Sequence, residues 1–196
     1  MNASIKKNLS RVLAAAGILL IVAAVAFTTI GEIRTRSLAK DARSTAQVLM
    51  SLMPQVTDGV PEELHDSRMA TLQLNGDDFI GVIDIPTFDV LLPVYAKWDK
   101  TKTSSFPCHY SGSLYDGSLI LGGSSADGQL NFVKDISIGD KVFFTDTHGV
   151  KYSLKVSDIR RTTDVSRESL ENREGDVIIF ARNPLSFEYT IISCEY

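Results

Sequence analysis

Hydrophobic and polar positions fall into three textures along this chain. From Val12 to Ile30 (VLAAAGILLIVAAVAFTTI) the residues are apolar and uncharged. Wound as a helix at ~1.5 Å per residue, that run reaches about 28 Å, close to the thickness of a bilayer's hydrocarbon core. It predicts a membrane anchor. Ala24-Val25-Ala26 has the small-x-small form that a signal peptidase accepts, but the apolar run continues past it to Ile30, which favours an uncleaved helix. Residues 32–53 are rich in helix formers and contain no Gly or Pro. Ile33, Leu38, Ala42, Ala46, Leu49 and Met53 recur near one face, which predicts a stalk helix ending near Pro54. Residues 54–77, rich in Pro, Gly and acids, read as a linker.

After Asp78 the period shortens to that of strands. FIGVIDIP (79–86), VLLPVYA (90–96), SLIL (118–121), KVFFTD (141–146), VKYSLKVSDI (150–159), VIIFA (177–181) and FEYTIISC (187–194) are short, β-branched and bounded by turn residues. The 141–159 stretch turns at Thr147-His148-Gly149 and predicts a hairpin with alternating faces. Residues 165–173 predict a short helix. Seven or eight strands with little helix argue for a mainly β fold closed as a barrel. The resulting organisation is a tail at 1–11, an anchor at 12–30, a stalk helix at 31–53, a linker at 54–78 and a β-barrel domain at 79–196.

Charge narrows the function classes. The chain carries 20 Lys+Arg against 24 Asp+Glu, a formal −4, so no cationic excess exists to condense on nucleic acid. Three of those cations and no anion precede Glu32, which leaves −7 on the remainder. Lys6, Lys7 and Arg11 precede the apolar run, and Arg34, Arg36, Lys40 and Arg43 follow it, so the flanking charges nearly balance. A short tail before a folded domain still favours the tail in the cytoplasm and the barrel on the extracytoplasmic side of the plasma membrane. Two cysteines and three histidines are too few for a four-cysteine zinc ribbon, and no metal or cofactor is expected.

The ordered set of strands resembles the sortase family, the membrane-anchored cysteine transpeptidases of mainly Gram-positive bacteria. IGVIDIPTFDVLLPVY is similar to that family's opening strand pair, FPCHYSGS to the segment before its third strand, and GDKVFFTDTHGVKYSLKV to its "GD-x-V" hairpin. The match runs from Phe79 to the C-terminus. It implies a sortase-like closed barrel of seven to eight strands behind an N-terminal anchor. The family's chemistry needs a cysteine thiolate to attack the scissile carbonyl, a histidine to move the proton, and an arginine to steady the oxyanion. By the resemblance, Ser124 stands at the histidine position after LILGG, Arg182 at the cysteine position after VIIFA, and Tyr189 at the arginine position opening the last strand. A serine hydroxyl takes up no proton near neutral pH, and a guanidinium is never a nucleophile. The resemblance therefore implies the fold without its catalysis: a degenerate member that binds a peptide sorting signal or a cell-surface protein in the vestigial groove. The alternative is an active transpeptidase or peptidase that reads YTIISC as the cysteine-bearing strand, with Cys194 as nucleophile. A third reading is a purely structural envelope module.

Other chemistry-bearing residues have plainer readings beside the functional ones. Cys108 and Cys194 are the only thiols, either disulfide-bonded or separately buried. His109, beside Cys108, is either a loop residue or half of a relocated dyad with Cys194. His148 reads as a turn residue, and His65 falls in the linker. Asp127, Asp135, Asp140 and Asp146 lack the spacing of a calcium loop and read as turn acids. Trp98, Tyr95 and Phe106 either rim a groove or pack in the core.

Overall fold

The computed structural model describes residues 3–54, 68–126 and 129–196, with side chains of the first helix described at residues 16–26, at 37 and from 39 onward. Among the described residues, helix α1 (Ala3–Leu52) is followed by nine strands and one short α-helix. These are β1 (Leu72–Leu74), β2 (Asp77–Ile85), β3 (Val90–Tyr95), β4 (Cys108–Ser111), β5 (Leu119–Ser124), β6 (Lys141–Asp146), β7 (Lys151–Thr162), α2 (Arg167–Glu171), β8 (Val177–Arg182) and β9 (Tyr189–Glu195). The strand order is β1-β2-β3-β4-β5-β8-β9-β7-β6, and β6 pairs back onto β2. Eight strands thus close a mixed barrel, with β1 as an extra edge on β2. The β3–β4 and β5–β8 pairs are parallel and the rest antiparallel.

All seven strands expected from the sequence form within a few residues of their expected ends, and the expected short helix forms as α2. Two strands were not anticipated. β1 falls in the stretch read as linker, so residues 72–78 belong to the sheet and the barrel domain begins before Phe79. The overlooked signal is Asn75-Gly76: both residues have positive φ (53° and 86°), the conformation that a two-residue hairpin turn demands. β4 lies in the FPCHYS segment and is short, joined to β3 by a single parallel register pair, Tyr95 with Cys108. The linker residues 55–67, His65 among them, and Asp127 lie outside the described residues.

Alternation along β7 decides which side is core. Tyr152, Leu154 and Val156 are buried and Lys151, Ser153 and Lys155 are exposed. The interior cluster adds Ile83, Leu92, Leu121, Phe144, Ile179 and Ile192 from six further strands. At the hairpin turn, Asp146 is fully buried; its Oδ1 accepts from the backbone N–H of His148 (3.0 Å) and Val150 (2.9 Å), and its Oδ2 accepts from the Tyr115 hydroxyl (3.0 Å). Asp140 likewise caps a turn, accepting from Ser137 N (2.8 Å). Those two aspartates serve the turns, as their spacing suggested.

The chain forms two compact units, Met1–Ser37 and Leu38–Tyr196. In the second, the end of α1 is not a free stalk. Ala46, Leu49 and Met53 are buried against Phe79, Val82, Tyr95 and Cys108, and Ala42 joins the main core. Arg43 grips the β2–β3 turn, donating to Asp89 Oδ2 (2.6 Å), Oδ1 (2.7 Å) and backbone O (3.2 Å). That bidentate pair holds the Asp89 carboxyl below its ordinary range. The face predicted for residues 32–53 is thus used from Ala42 to Met53; Ile33 and Leu38 fall outside the described side chains. In the first unit, Ile18, Leu19, Leu20, Ile21, Val22 and Val25 are all exposed. Among the described residues no helix is long and apolar enough to cross a membrane; residues 12–15 and 27–30 of the expected anchor lie outside those whose side chains are described.

Because Leu49 is fully buried at the helix–barrel contact, Leu49→Ala is expected to cost about 2–5 kcal/mol. Urea unfolding followed by circular dichroism measures this; a loss near zero would mean the helix end does not dock on the barrel in solution.

Candidate functional site

Three neighbouring strands bring the sequence-predicted residues together. Ser124 at the end of β5 pairs with Arg182 at the end of β8, and Arg182 pairs with Tyr189 at the start of β9. Partnered residues on adjacent strands point to the same face, so the three form one cross-sheet row about 10 Å wide. The next row on that face is Gly122, Phe180 and Ile191. The intervening residues, Gly123, Ala181 and Thr190, belong to the opposite face.

The row borders a groove of about 410 Å³. Trp98, Tyr110 and Phe180 make its floor, with Trp98 edge-on to Tyr110 at 5.2 Å and Tyr110 edge-on to Phe180 at 5.3 Å. Arg182, Tyr189, Lys100, Thr103, Gly123 and Val165 complete its lining. Ser124 stands beside the groove rather than in its lining, and its hydroxyl accepts from Ala126 N (3.2 Å). Ser125 next to it is buried and donates through both N (2.8 Å) and Oγ (3.1 Å) to Arg182 O, which pins the β8 end. The Arg182 side chain is exposed, and no carboxylate lies within ion-pair distance of it among the described residues.

Gly122 makes the floor possible. A Cβ there would fall 2.2 Å from Phe180 Cζ and 2.6 Å from Trp98 Cζ3, so only glycine lets both rings lie on β5. Beside the groove, the β8–β9 turn presents Leu185 (95% exposed) and Phe187 (83%) to solvent. The sequence reading missed both, since it assigned 187 to a strand and singled out neither. Tyr95 and Phe106 do not rim the groove; Tyr95 is buried and both pack against Phe79 under α1. Of the three aromatics proposed for a rim, Trp98 alone reaches it.

Both thiols are free and lie elsewhere, on opposite faces of the barrel wall. Cys194 pairs with Val177 at the start of β8, pointing into the interior core, fully buried. Burial pushes its thiol up to about 12. Cys108 sits in the cluster under α1, and burial pushes it up to about 11. A neutral thiol sealed in a core neither attacks a carbonyl nor meets a substrate. The His109 ring faces Gly112 O (2.8 Å) and Ala96 O (3.3 Å) rather than a thiol. The alternative nucleophile Cys194 and the relocated Cys194–His109 dyad therefore lack the geometry they need, and the disulfide between Cys108 and Cys194 is not formed. Among the described residues no cluster of three His, Cys, Asp or Glu is placed to hold a metal.

Neither thiol is expected to react with an alkylating reagent near neutral pH until the protein unfolds, and mass spectrometry after timed labelling reads this. The same burial sets an alkaline limit. Cys108, Cys194, Tyr95 and Tyr196 are all raised by desolvation. An acid whose folded pKa is raised is stabilised in its neutral form, a contribution present below the unfolded pKa and lost above it. Melting temperature is therefore expected to hold to about pH 9 and then fall toward pH 12. Rapid labelling at neutral pH would contradict both expectations.

No family profile and no curated protein matches the sequence, whereas solved structures do match the fold. Sortase A from Corynebacterium diphtheriae is similar over 82% of this chain and 83% of its own, at 18% identity and a TM-score of 0.54. Sortase C-3 from Streptococcus pneumoniae covers 83% of each chain at 13% identity and a TM-score of 0.54. Sortase C1 from Streptococcus agalactiae covers 84% of this chain and 90% of its own at 16% identity and a TM-score of 0.51. The likeness is one of fold: the chain has a sortase-like barrel.

Proposed function

We propose that this chain is a membrane-anchored, extracytoplasmic sortase-like protein that binds an extended peptide or a cell-surface protein segment without cleaving it. The observation that carries this reading is the row Ser124–Arg182–Tyr189, of which Arg182 and Tyr189 line the groove and Ser124 stands beside it. It lies where the resemblance expects histidine, cysteine and arginine, and it contains no thiol and no imidazole. Fold alone does not confer chemistry. Here the groove offers aromatic floor, hydroxyls and cations, which suit recognition rather than acyl transfer.

The lining narrows the ligand. Lys100 and Arg182 supply positive charge, and no carboxylate is among the lining residues. An exposed guanidinium matches a carboxylate through two parallel hydrogen bonds. The four rings of Trp98, Tyr110, Phe180 and Tyr189 offer contact to apolar side chains and proline. Leu185 and Phe187 extend the apolar contact along the β8–β9 turn. A peptide combining apolar residues with an acidic group, or its own terminal carboxylate, fits this lining. Exposure of Ile18 to Val22 and of Val25 supports an anchor embedded in lipid.

Fluorescence of Trp98, the single tryptophan, reports binding directly. Titration of the full-length protein with a library of acidic and neutral peptides is expected to give saturable changes for acidic members and no cleavage product. Arg182→Gln should weaken those members about tenfold, the loss of one charge-assisted pair. Arg182→Cys alone should not produce turnover, because catalytic groups acting as a unit fail together. Turnover by the unaltered chain would overturn the binding reading, and no saturable binding by any peptide would favour a structural module.

The location has its own measurement. Protease added to intact protoplasts is expected to remove the barrel domain, with fragments ending near the membrane. Protection of the domain would reverse the orientation.

A further inference from the structure

Three large apolar side chains of the barrel stand in solvent at one rim. Among the described residues after α1, the exposed large hydrophobics are Ile138, Leu185, Phe187 and the terminal Tyr196. Strands β2, β5, β7 and β8 end, and β3, β6 and β9 begin, at the same rim, as their parallel and antiparallel pairings require. Leu185 and Phe187 lie in the turn after β8, and Ile138 lies in the turn before β6, so all three belong to that rim. Their exposure is built into the turns. Leu185 N donates to Asn183 Oδ1 (2.9 Å), Asn183 N to Glu188 O (2.9 Å) and Glu188 N to Ser186 Oγ (3.3 Å), which holds the β8–β9 turn in shape. Gly139 N, next to Ile138, donates to Val156 O (2.8 Å). Soluble monomers rarely gather exposed apolar side chains in one place without a use for them.

Area, charge and tether together select the occupant. Three such side chains offer roughly 400 Å² of apolar surface, half of the ~800 Å² per partner in a standard protein interface. Side chains dipping into a lipid interface need no such minimum. Charges of both signs surround them: Arg182 and Glu188 at one turn, Lys141 and Asp140 at the other, Arg161 and Asp164 at the end of β7 between. That mixture gives neither a single-sign patch for a charged protein nor a demand for anionic lipid. Helix α1 first docks on the barrel at this same rim, where Arg43 holds the β2–β3 turn. The chain between Ile30, the end of the apolar run, and Arg43 reaches at most about 45 Å even fully extended. A bilayer holding the apolar run is therefore always close to the rim, and a weak contact is enough.

We infer that this rim rests on a membrane surface, with Ile138, Leu185 and Phe187 seated in the lipid interface, a contact that rests on the anchor reading, in which the same bilayer holds residues 12–30. Arg182 and Tyr189 stand at the same rim. The groove they line then opens close to the lipid surface, where it meets partners that are themselves held in the membrane.

Fluorescence quenching in vesicles tests this. The full-length protein carrying Pro184→Cys is labelled at the new thiol with a polarity-sensitive dye; Cys108 and Cys194 are buried and take none. A second preparation carries the dye at Gln73→Cys, exposed on β1 at the opposite rim. Both are reconstituted in phosphatidylcholine vesicles that contain a lipid spin-labelled in its upper acyl chain. Interfacial side chains sit about 5–10 Å deep, so the dye at position 184 should lose at least about half of its emission and the dye at position 73 almost none. Adding phosphatidylglycerol should not strengthen the quenching. Replacing Ile138, Leu185 and Phe187 by Asn should weaken it at least about threefold. The melting temperature should stay unchanged, because exposed side chains hold nothing in the fold. Leu185→Asn and Phe187→Asn singly serve if the triple variant does not fold. Flotation with the vesicles reports the anchor separately. A protein that floats with an unquenched dye keeps the anchor reading and overturns the lipid seat, whereas failure to float removes both. Quenching only with phosphatidylglycerol would assign the contact to the cations and overturn an apolar seat. An emission shift that grows with the protein-to-lipid ratio, without quenching, would mean that a second copy covers the turn, which overturns it as well.

Discussion

The barrel depends on β2 being able to pair along both edges. It meets β3 on one side and β6 on the other, and the latter contact closes the ring. Gly81 is the point of closest approach. A Cβ there would fall 2.3 Å from Thr145 O and 2.7 Å from the Phe144 ring. Any side chain would push β6 away from β2 and leave two long open edges. The register also slips between Phe79 and Gly81, so the strand bends where the barrel must curve. Ile83 and Phe144, register partners across this seam, are then both sealed in the core.

Closure separates two chemistries. The period of two sends Ala181, Ile192 and Cys194 inward and Arg182, Tyr189 and Ile191 outward along the same strands. The one thiol near the site row in sequence is thereby lost to the interior. What remains outside is an aromatic floor, seated on Gly122, beneath the exposed Arg182 guanidinium.

The outer face of the barrel is covered in two patches. The end of α1 covers β2, β3 and β4 through Ala46, Leu49 and Met53. Leu170 of α2, with Trp98 and Tyr110, covers β5, β8 and β9.

By itself the sequence determined seven of the nine strands seen among the described residues, because a half-buried sheet leaves a period of two that any reader can count. That Ser124, Arg182 and Tyr189 stand in one row was legible through the resemblance, since Gly122-Gly123 and the two last strands set the register. The tertiary structure alone decided which face each residue took and what stood across from it. Nothing local in YTIISC says that Cys194 is interior, because strand parity has meaning only once a partner sheet exists. The β1 strand was hidden because three residues carry too short a pattern to count. The docking of α1 was hidden because a stripe at helical spacing fits a barrel wall as well as a free stalk. Leu185 and Phe187 were ordinary apolar residues until the turn held them out in solvent.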